Sequence, residues 1–595
     1  MPRRTLLALI GVSAALAAPA AVGAAPYQHT TQPTAEGSGG AAATVDSVAT
    51  TAARDVLRRG GNAVDAAVAA AAVLGVTEPF SCGIGGGGFM VIRTPKGKVT
   101  TIDSREEAPA AMRPDSFFEN GSALGFADAR WSGLSAGVPG TVDAWDEALR
   151  RYGSWDFGRV LAPAIDVARE GFVVDATFAS QITPDYFDDI PSTAALYLDP
   201  DGTAKDPGAV QRNPDLANAY ERIARLGARK GFYRGPIADA MAKAAQKPPT
   251  ASTADHIWRP GLLTVKDLEH YRVERRAPTR VGYRGYDVYS MAPPSSGGST
   301  VGEALNILEQ VPGYAQMSDV DKLHYFLEAS RYAFADRNVF VADPDYFRVP
   351  LRGLLSDSFA AERASLITGT DPNQTVAPGD PWAHQHGKGK QPKPGVSFFS
   401  PTQSTTHLTV ADRSGMVVSY TFTIESTGGN GIVVPGWGFL LNNELTDFNY
   451  DNPQHANAPA GGKRPRSSIA PTYVERDGRP FLAVGSPGGA TIITTVLQIL
   501  TERIDFGRSL PQAIADPRAS QRNPPATATD PNSPTAPEQA FLDLYGAALT
   551  ARGHTFSKPA EIGAATGIEF LPGGGFLAAA EPVRRGGGSA QVVSP

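Results

Sequence analysis

At Gln403-Ser404-Thr405-Thr406-His407-Leu408 the chain passes from a polar, Pro- and Gly-rich stretch into strand-favouring residues. An ordinary loop-to-strand junction has no need of so sharp a contrast, whereas a junction meant to be cut does. Cleavage between Ser404 and Thr405 would give one threonine both a hydroxyl nucleophile and a free α-amine. Such an amine has an ordinary pKa of about 7.7–8.0, so near neutrality it can serve as the base for its own hydroxyl. The chemistry this predicts is acyl transfer through a threonine ester.

The residues that follow bring a second hydroxyl close. Asp412-Arg413-Ser414-Gly415 reads as a three-residue hairpin loop closed by a left-handed glycine. That loop pairs Asp412 with Met416 and, counted outward, Thr405 with Thr423. Cross-strand partners share a face within about 5.5 Å. Two strand threonines serving only β-propensity would give the same spacing. His407 falls on the face opposite Thr406 and reads as structural.

Gly485-Ser486-Pro487-Gly488-Gly489-Ala490 follows a strand and precedes a helix. Backbone N–H groups converging there suit a developing oxyanion. Without the lysine of a phosphate loop, a nucleoside triphosphate is not expected. Polar residues gather at Asn442-Asn443-Glu444, Asp447 and Arg464-Pro465-Arg466-Ser467-Ser468. Carboxylates can hold an ammonium, and arginine with serine hydroxyls can hold a carboxylate, which together suit an amino-acid head group. Each taken singly is an ordinary solvated loop residue.

Other motifs lead nowhere. Gly83, Gly85 and Gly88 match the spacing of a dinucleotide fingerprint, but in a helix–loop–strand order that reverses it, so close backbone packing is the expectation. Gly133-Leu134-Ser135-Ala136-Gly137 lacks the buried strand and immediate helix of a serine-hydrolase elbow. Cys82 is the only cysteine, with no histidine or lysine beside it in sequence to lower its pKa, and reads as a buried inert thiol. The nine histidines show no ligand spacing, so neither a metal nor another cofactor is expected.

The elements that must position these residues fall into three stretches. After a polar arm at 28–43, residues 45–74 read as Ala-rich helix broken at Gly60-Gly61, and the glycine loop then opens a strand at Phe89. From Gly140 to about Leu366 helices dominate, at 141–152, 160–168, 216–226, 236–244 and 322–337, where apolar residues recur at i, i+3 and i+4. A strand pair lies at 281–291, followed by a turn at Pro293–Gly298 and a helix from Val301. Residues 378–404 form a long polar loop, uncommon in a compact protein unless functional. Strands then follow at 407–411, 416–424, 439–441, 472–475 and 481–485, a helix at 491–501, and strands at 568–571 and 576–579.

Composition narrows the class. A formal net charge of −6 with 19% charged residues excludes the basic stripe of a nucleic-acid binder. Arg3-Arg4 followed by the apolar run Leu6–Ala18 and Val22-Gly23-Ala24 reads as a leader cut after Ala24. No later segment suits a membrane helix, so a secreted protein without a membrane anchor is expected. A single cysteine permits no internal disulfide, so stability must come from a large core.

Taken in order, these segments resemble the γ-glutamyltransferases of the N-terminal-nucleophile hydrolase superfamily, from about Thr44 to Ala590. The resemblance is carried by Gly60–Ala66, Gly83–Phe89, Asp103–Glu106, Gly137–Thr141, Pro293–Gly298, Thr405-Thr406-His407, Leu441–Phe448, Arg464–Ser468 and Gly485–Gly489. It implies an α+β fold, an αββα sandwich built from two subunits cut from one precursor. The expected division is a leader at 1–24, a large subunit at 25–404 with a processing loop at 378–404, and a small catalytic subunit at 405–595. Thr405 matches the nucleophile exposed by self-cleavage after Ser404, and Thr423 the second threonine that hydrogen-bonds it. Arg105, Ser467 and Ser468 match positions gripping the donor's α-carboxylate, Glu444 and Asp447 those taking its α-amine, and Gly488 and Gly489 the oxyanion hole. Glu425 stands where several relatives carry asparagine. The short stretch from Asp447 to Ser467 resembles members without a lid loop. The implied partners are a γ-glutamyl donor such as glutathione, an amino-acid or peptide acceptor or water, and each subunit for the other. A glutaryl-specific acylase of the same fold is the nearest rival, and Asp447 favours a donor carrying an α-amine.

Overall fold

The structure, a computed structural model, describes residues 25–367, 372–387, 389, 404–531, 540–558 and 560–594. The expected leader and most of the expected processing loop lie outside these residues. The strands of the two large sheets are β1 Thr34–Gly37, β2 Gly40–Thr44, β3 Gly87–Arg93, β4 Val99–Asp103, β5 Thr279–Tyr283 and β6 Tyr286–Ser290. They continue with β7 Thr406–Asp412, β8 Val417–Thr423, β9 Thr472–Arg476, β10 Arg479–Gly485, β11 Thr566–Phe570, β12 Phe576–Ala580 and β13 Ser589–Val592. One sheet has six strands in the order β13-β2-β7-β8-β3-β4, and the other seven in the order β1-β12-β11-β10-β9-β6-β5.

The principal helices are α1 Ser47–Arg58, α2 Ala63–Thr77, α3 Thr141–Tyr152, α4 Phe157–Glu170, α5 Pro214–Gly231, α6 Gly297–Glu309, α7 Asp319–Phe340 and α8 Thr491–Ile504. Helices α1 and α2 lie against the six-stranded sheet, and α6 and α8 against the seven-stranded one. The sheets face each other through small residues, Ala41, Ala43, Ala411, Ala483, Ala578, Ala580 and Ala590 among them. Methyl groups in place of larger side chains let two pleated faces close tightly. This is the expected αββα sandwich.

Local sequence explains the helix that supports the hairpin after Thr405. The Asn62 side chain accepts from the Val64 and Asp65 N–H groups, while the Asp65 carboxylate accepts from Asn62 N at 2.8 Å. This reciprocal cap starts α2 immediately after the Gly60-Gly61 break. All fifteen residues of α2 are buried. A helix apolar all round is one enclosed on every side, and α2 packs on β7 and β8 beneath and on α3 and α4 above.

The polar arm at 28–43 supplies two strands, β1 and β2, and the alanines of β2 fit between the sheets where larger strand formers would not. Two expectations are corrected. No strand forms at 439–441, where a single bridge joins Val433 to Leu440. Helix α6 begins at Gly297, not Val301. A side chain on Gly297 or Gly298 would overlap the carbonyl oxygens of Ile469 or Met291, so these glycines serve close helix packing rather than a turn.

Candidate active site

The hairpin forms in the expected register. Thr406 pairs with Phe422 and His407 with Thr421, the Asp412 N–H donates to the Met416 carbonyl at 3.0 Å, and Gly415 is left-handed at φ 81°. One step further out, Thr405 Oγ1 lies 3.0 Å from Thr423 Oγ1. The Thr405 hydroxyl donates in this bond, and Thr423 Oγ1 accepts from the Glu425 N–H as well, at 2.9 Å. Both threonines are buried yet line one pocket.

Thr405 is held unusually. Its φ is 104°, in the left-handed region, and for a β-branched residue that is strained. Ser404 Oγ donates to the Phe80 carbonyl at 2.9 Å on one side of the bond. On the other, Arg585 Nη1 donates to the Thr405 carbonyl at 2.7 Å, and its Nη2 reaches Glu78 Oε2 at 3.0 Å and Ser81 Oγ at 2.5 Å. His407, by contrast, is fully buried, bonded to Thr421 and Thr409, and burial pulls its pKa down to about 3. It stays neutral and structural.

The pocket holds charges of both signs. A 3₁₀ turn at Glu444–Asp447 brings the two acids to the same side, three residues apart. Both pair with Arg105, Asp447 at 2.5 Å, and Glu106 lies 3.9 Å behind. Burial draws the Arg105 pKa down, but Glu444, Asp447 and Glu106 more than reverse that and hold it above the ordinary value. Burial lifts the Glu444 carboxyl well above its usual range. Glu425, at φ 77°, bonds the Ser426 hydroxyl and Asn443 Nδ2, and burial followed by the Asp447 charge pushes it up to about 7.

Arg337, Arg466, Ser467 and Ser468 line the same pocket, and Arg105 donates to the Pro465 and Arg466 carbonyls beside them. The backbone at Ser467 is clamped by the Pro293–Gly298 turn: Ser467 N donates to the Pro294 carbonyl, and Ser296 N and Oγ donate to the Ser467 carbonyl. Arg466 is pinned by the carbonyls of Arg337, Asn338 and Val341.

The glycine turn between β10 and α8 has both glycines at positive φ, 129° at Gly488 and 55° at Gly489. Neither N–H has a hydrogen-bond partner among the described residues. Gly489 lines the pocket with Thr405; Gly488 sits one residue behind it.

The structure thus brings Thr405, Thr423, Arg105, Glu425, Glu444, Asp447, Ser467, Ser468 and Gly489 around one cavity. Sequence reasoning missed Arg337 and Arg585. Arg337 is an ordinary helix residue by propensity, and Arg585 stands in a Gly-rich tail. Neither carries a local signal. The glycine loop at Gly83–Gly88 behaves as close packing: side chains on Gly85, Gly86 or Gly88 would overlap the Leu440, Thr423 or Thr421 carbonyl oxygens. Ser135 is buried and donates to the Arg130 and Ser132 carbonyls. Cys82 is buried, which raises its thiol pKa. Among the described residues no group of three or more potential ligands could hold a metal ion, and no helix is long and apolar enough to cross a membrane.

Comparison with known proteins follows the same lines. The family model described as gamma-glutamyltranspeptidase matches residues 49–591. The glutathione hydrolase proenzyme of Bacillus subtilis (strain 168) is 40% identical over 492 residues, covering 81% of this chain and 80% of that protein. An acylase ACY 1 proenzyme of Pseudomonas sp. (strain V22) is 34% identical over 575 residues, 94% of this chain and 96% of that one. The crystal structure of cephalosporin acylase from Bacillus halodurans matches at TM-score 0.79 and 28% identity, covering 98% of this chain and 100% of that chain.

Proposed function

From the premise that this chain belongs to the γ-glutamyltranspeptidase family, we propose that it is a self-cleaving enzyme that moves γ-glutamyl groups, from glutathione or another γ-glutamyl amide, to water or an amine. The observation that carries this reading is Thr405 Oγ1 at 3.0 Å from Thr423 Oγ1 in a pocket lined by the acids Glu425, Glu444 and Asp447 and by Arg105, Arg337, Ser467 and Ser468. Such a pocket is complementary to the zwitterionic head of a γ-glutamyl donor. It also separates this reading from that of a glutaryl acylase, whose donor has no ammonium to offer Glu425, Glu444 and Asp447.

Maturation comes first. The Thr405 hydroxyl attacks the Ser404 carbonyl, and the C–N bond gives way to an ester on Oγ1, with the amine taking the hydroxyl proton. Strain of about 1–3 kcal/mol at the φ of Thr405 favours leaving the amide. Water then hydrolyses the ester, freeing the chain that begins at Thr405 and, with it, the α-amine. The chain up to Ser404 and the chain from Thr405 stay paired as large and small subunits.

In the mature enzyme the α-amine accepts the Thr405 hydroxyl proton as Oγ1 attacks the donor's γ-carbonyl. Thr423 orients that hydroxyl. The Gly488 and Gly489 N–H groups meet the oxyanion, where loss of one donor typically costs about 10²–10³ in rate. The amine leaves with the proton, and water or an acceptor amine releases the γ-glutamyl ester. Arg105, Ser467 and Ser468 hold the donor's α-carboxylate, while Glu425, Glu444 and Asp447 hold its α-amine. The leader at 1–24 makes the site of action extracellular. The stretch from Asp447 to Ser467 is short, like that of members without a lid loop, and this supports a site open to long γ-linked donors as well as glutathione.

The test is Thr405→Ala. Mass spectrometry should find one uncut chain with no release from a γ-glutamyl anilide, whereas the wild type yields a second chain beginning at Thr405. A cut and active Thr405→Ala protein sinks the assignment. In Thr423→Val, which keeps the side-chain shape, kcat should fall by roughly 10–100-fold with the fold retained, in line with losing one hydrogen bond to a reacting group.

A further inference from the structure

Arg337 differs from six other buried arginines of the chain. Arg105, Arg331, Arg363, Arg464, Arg518 and Arg584 each meet a carboxylate within ion-pair distance. Arg337, on α7 and 4% exposed, meets none among the described residues. Its Nε donates to Ser296 Oγ at 3.0 Å, its Nη1 to Asn338 Oδ1 at 2.9 Å and its Nη2 to Ser468 Oγ at 2.7 Å. All three acceptors are neutral. A guanidinium carries five N–H donors, so two remain after these bonds.

Burying a charge without a counter-charge is unfavourable, and an arginine kept so is one awaiting an anion. Arg337 lines the pocket that holds Thr405. In the same pocket Arg105 is matched by Glu444 and Asp447, so its charge is largely spent within the protein. Arg337 therefore sets a buried positive charge, with no ion pair among the described residues, directly beside Ser468.

Resting on the function proposed above, we infer that Arg337 is a specificity-determining residue that, with Ser468, receives the donor's α-carboxylate. Its Nη2 fixes the Ser468 oxygen as an acceptor, which turns the hydroxyl proton outward toward the anion. The remaining N–H groups and the charge then reward a carboxylate over an uncharged group. Ser296, from the Pro293–Gly298 turn, keeps the guanidinium plane in place from behind.

Three anilides separate the head group's parts: γ-glutamyl with amine and carboxylate, glutaryl with carboxylate alone, and 4-aminobutyryl with amine alone. Hydrolysis of each is measured for the mature wild type, Arg337→Gln and Arg337→Lys. Arg337→Gln should lower kcat/KM for the γ-glutamyl and glutaryl substrates by roughly 10–100-fold relative to the 4-aminobutyryl one, as expected for a lost hydrogen bond to a charged group. An equal fall on all three substrates marks a merely structural role and overturns the inference. So does an unchanged ratio, or a loss confined to transfer onto an acceptor such as glycylglycine with hydrolysis intact. If Arg337→Gln does not self-cleave, Arg337→Lys carries the test: replacing the fork with a compact ammonium should lower the same ratio at least threefold. An unchanged ratio in that variant overturns the inference. A wild type that releases nothing from the γ-glutamyl anilide overturns the proposed function itself, a result distinct from all of these.

Discussion

Two side chains around Thr405 set terms that the threonine pair alone does not. Arg585 ties the Thr405 carbonyl to Glu78 and Ser81, bracing the residue in a conformation that threonine otherwise avoids. Arg585→Gln should slow self-cleavage by roughly 10-fold or more, read from the decay of the uncut chain on gels after a synthesis pulse. A wild-type rate would show that the bond braces nothing. Glu425 offers a pH test. Below its unfolded pKa of about 4.5 both states are protonated, and the Glu425→Gln variant should match the wild type in stability. Between that value and its folded value of about 7 the unfolded chain ionises while the folded one resists, so the wild type loses ground as pH rises. Denaturant melts should therefore find Glu425→Gln gaining on the wild type from pH 4 to pH 8. A gain of about 1–2 kcal/mol is expected because Glu425 is only half-buried. A gap independent of pH would contradict the shift.

The elements are constrained most where backbone passes close to backbone. Strand β10 ends at Gly485, and a side chain there would drive into the imidazole of His407, which Thr421 and Thr409 hold from both sides. The ring cannot yield without leaving buried nitrogens unpaired. Gly485→Ala should therefore destabilise the protein by about 1–3 kcal/mol, measured as a lowered denaturant midpoint at unchanged slope. The lost activity should track the unfolded fraction, since the site's own residues are untouched. This single contact joins β7, the strand that follows Thr405 in one sheet, to the glycine turn after β10 in the other. It is why His407 accompanies Thr405 without sharing its chemistry.

At the scale of the whole molecule, the proposed cut divides the sequence but not the core. In the six-stranded sheet, β2, β3 and β4 precede Thr405 while β7, β8 and β13 follow it, and in the order β13-β2-β7-β8-β3-β4 the two origins interleave. The seven-stranded sheet mixes them as well, with β1, β5 and β6 from before the cut. Separating the chains would expose strand edges and both faces of the sandwich. The cleaved protein should elute as one species under native conditions, show two bands only on denaturation, and melt in one cooperative transition. Chain 405–595 expressed alone should not fold. Two resolved melts, or a folded fragment, would show that the subunits are independent units.

What the sequence determined by itself were the features that depend on local spacing. The hairpin register followed from a three-residue loop and the two-residue period of a strand, so the Thr405–Thr423 contact was legible before any fold. The cap at Asn62-Asp65, the two-glycine break and the glycine turn before α8 were equally local. The resemblance to a known family supplied the sandwich and the roles of Arg105, Glu444, Asp447, Ser467 and Ser468, which no single spacing conveys. Tertiary structure alone decided the rest, because it turns on what faces a residue across the core. Whether an arginine's charge is matched depends on partners hundreds of positions away, so Arg337 and Arg105 look alike in sequence and differ in the fold. The Arg585 bond spans 180 positions, and Thr405 takes its left-handed backbone between contacts from Phe80 and Arg585. A short arm of alanine and glycine becomes strand only because another sheet lies close enough to need residues that small.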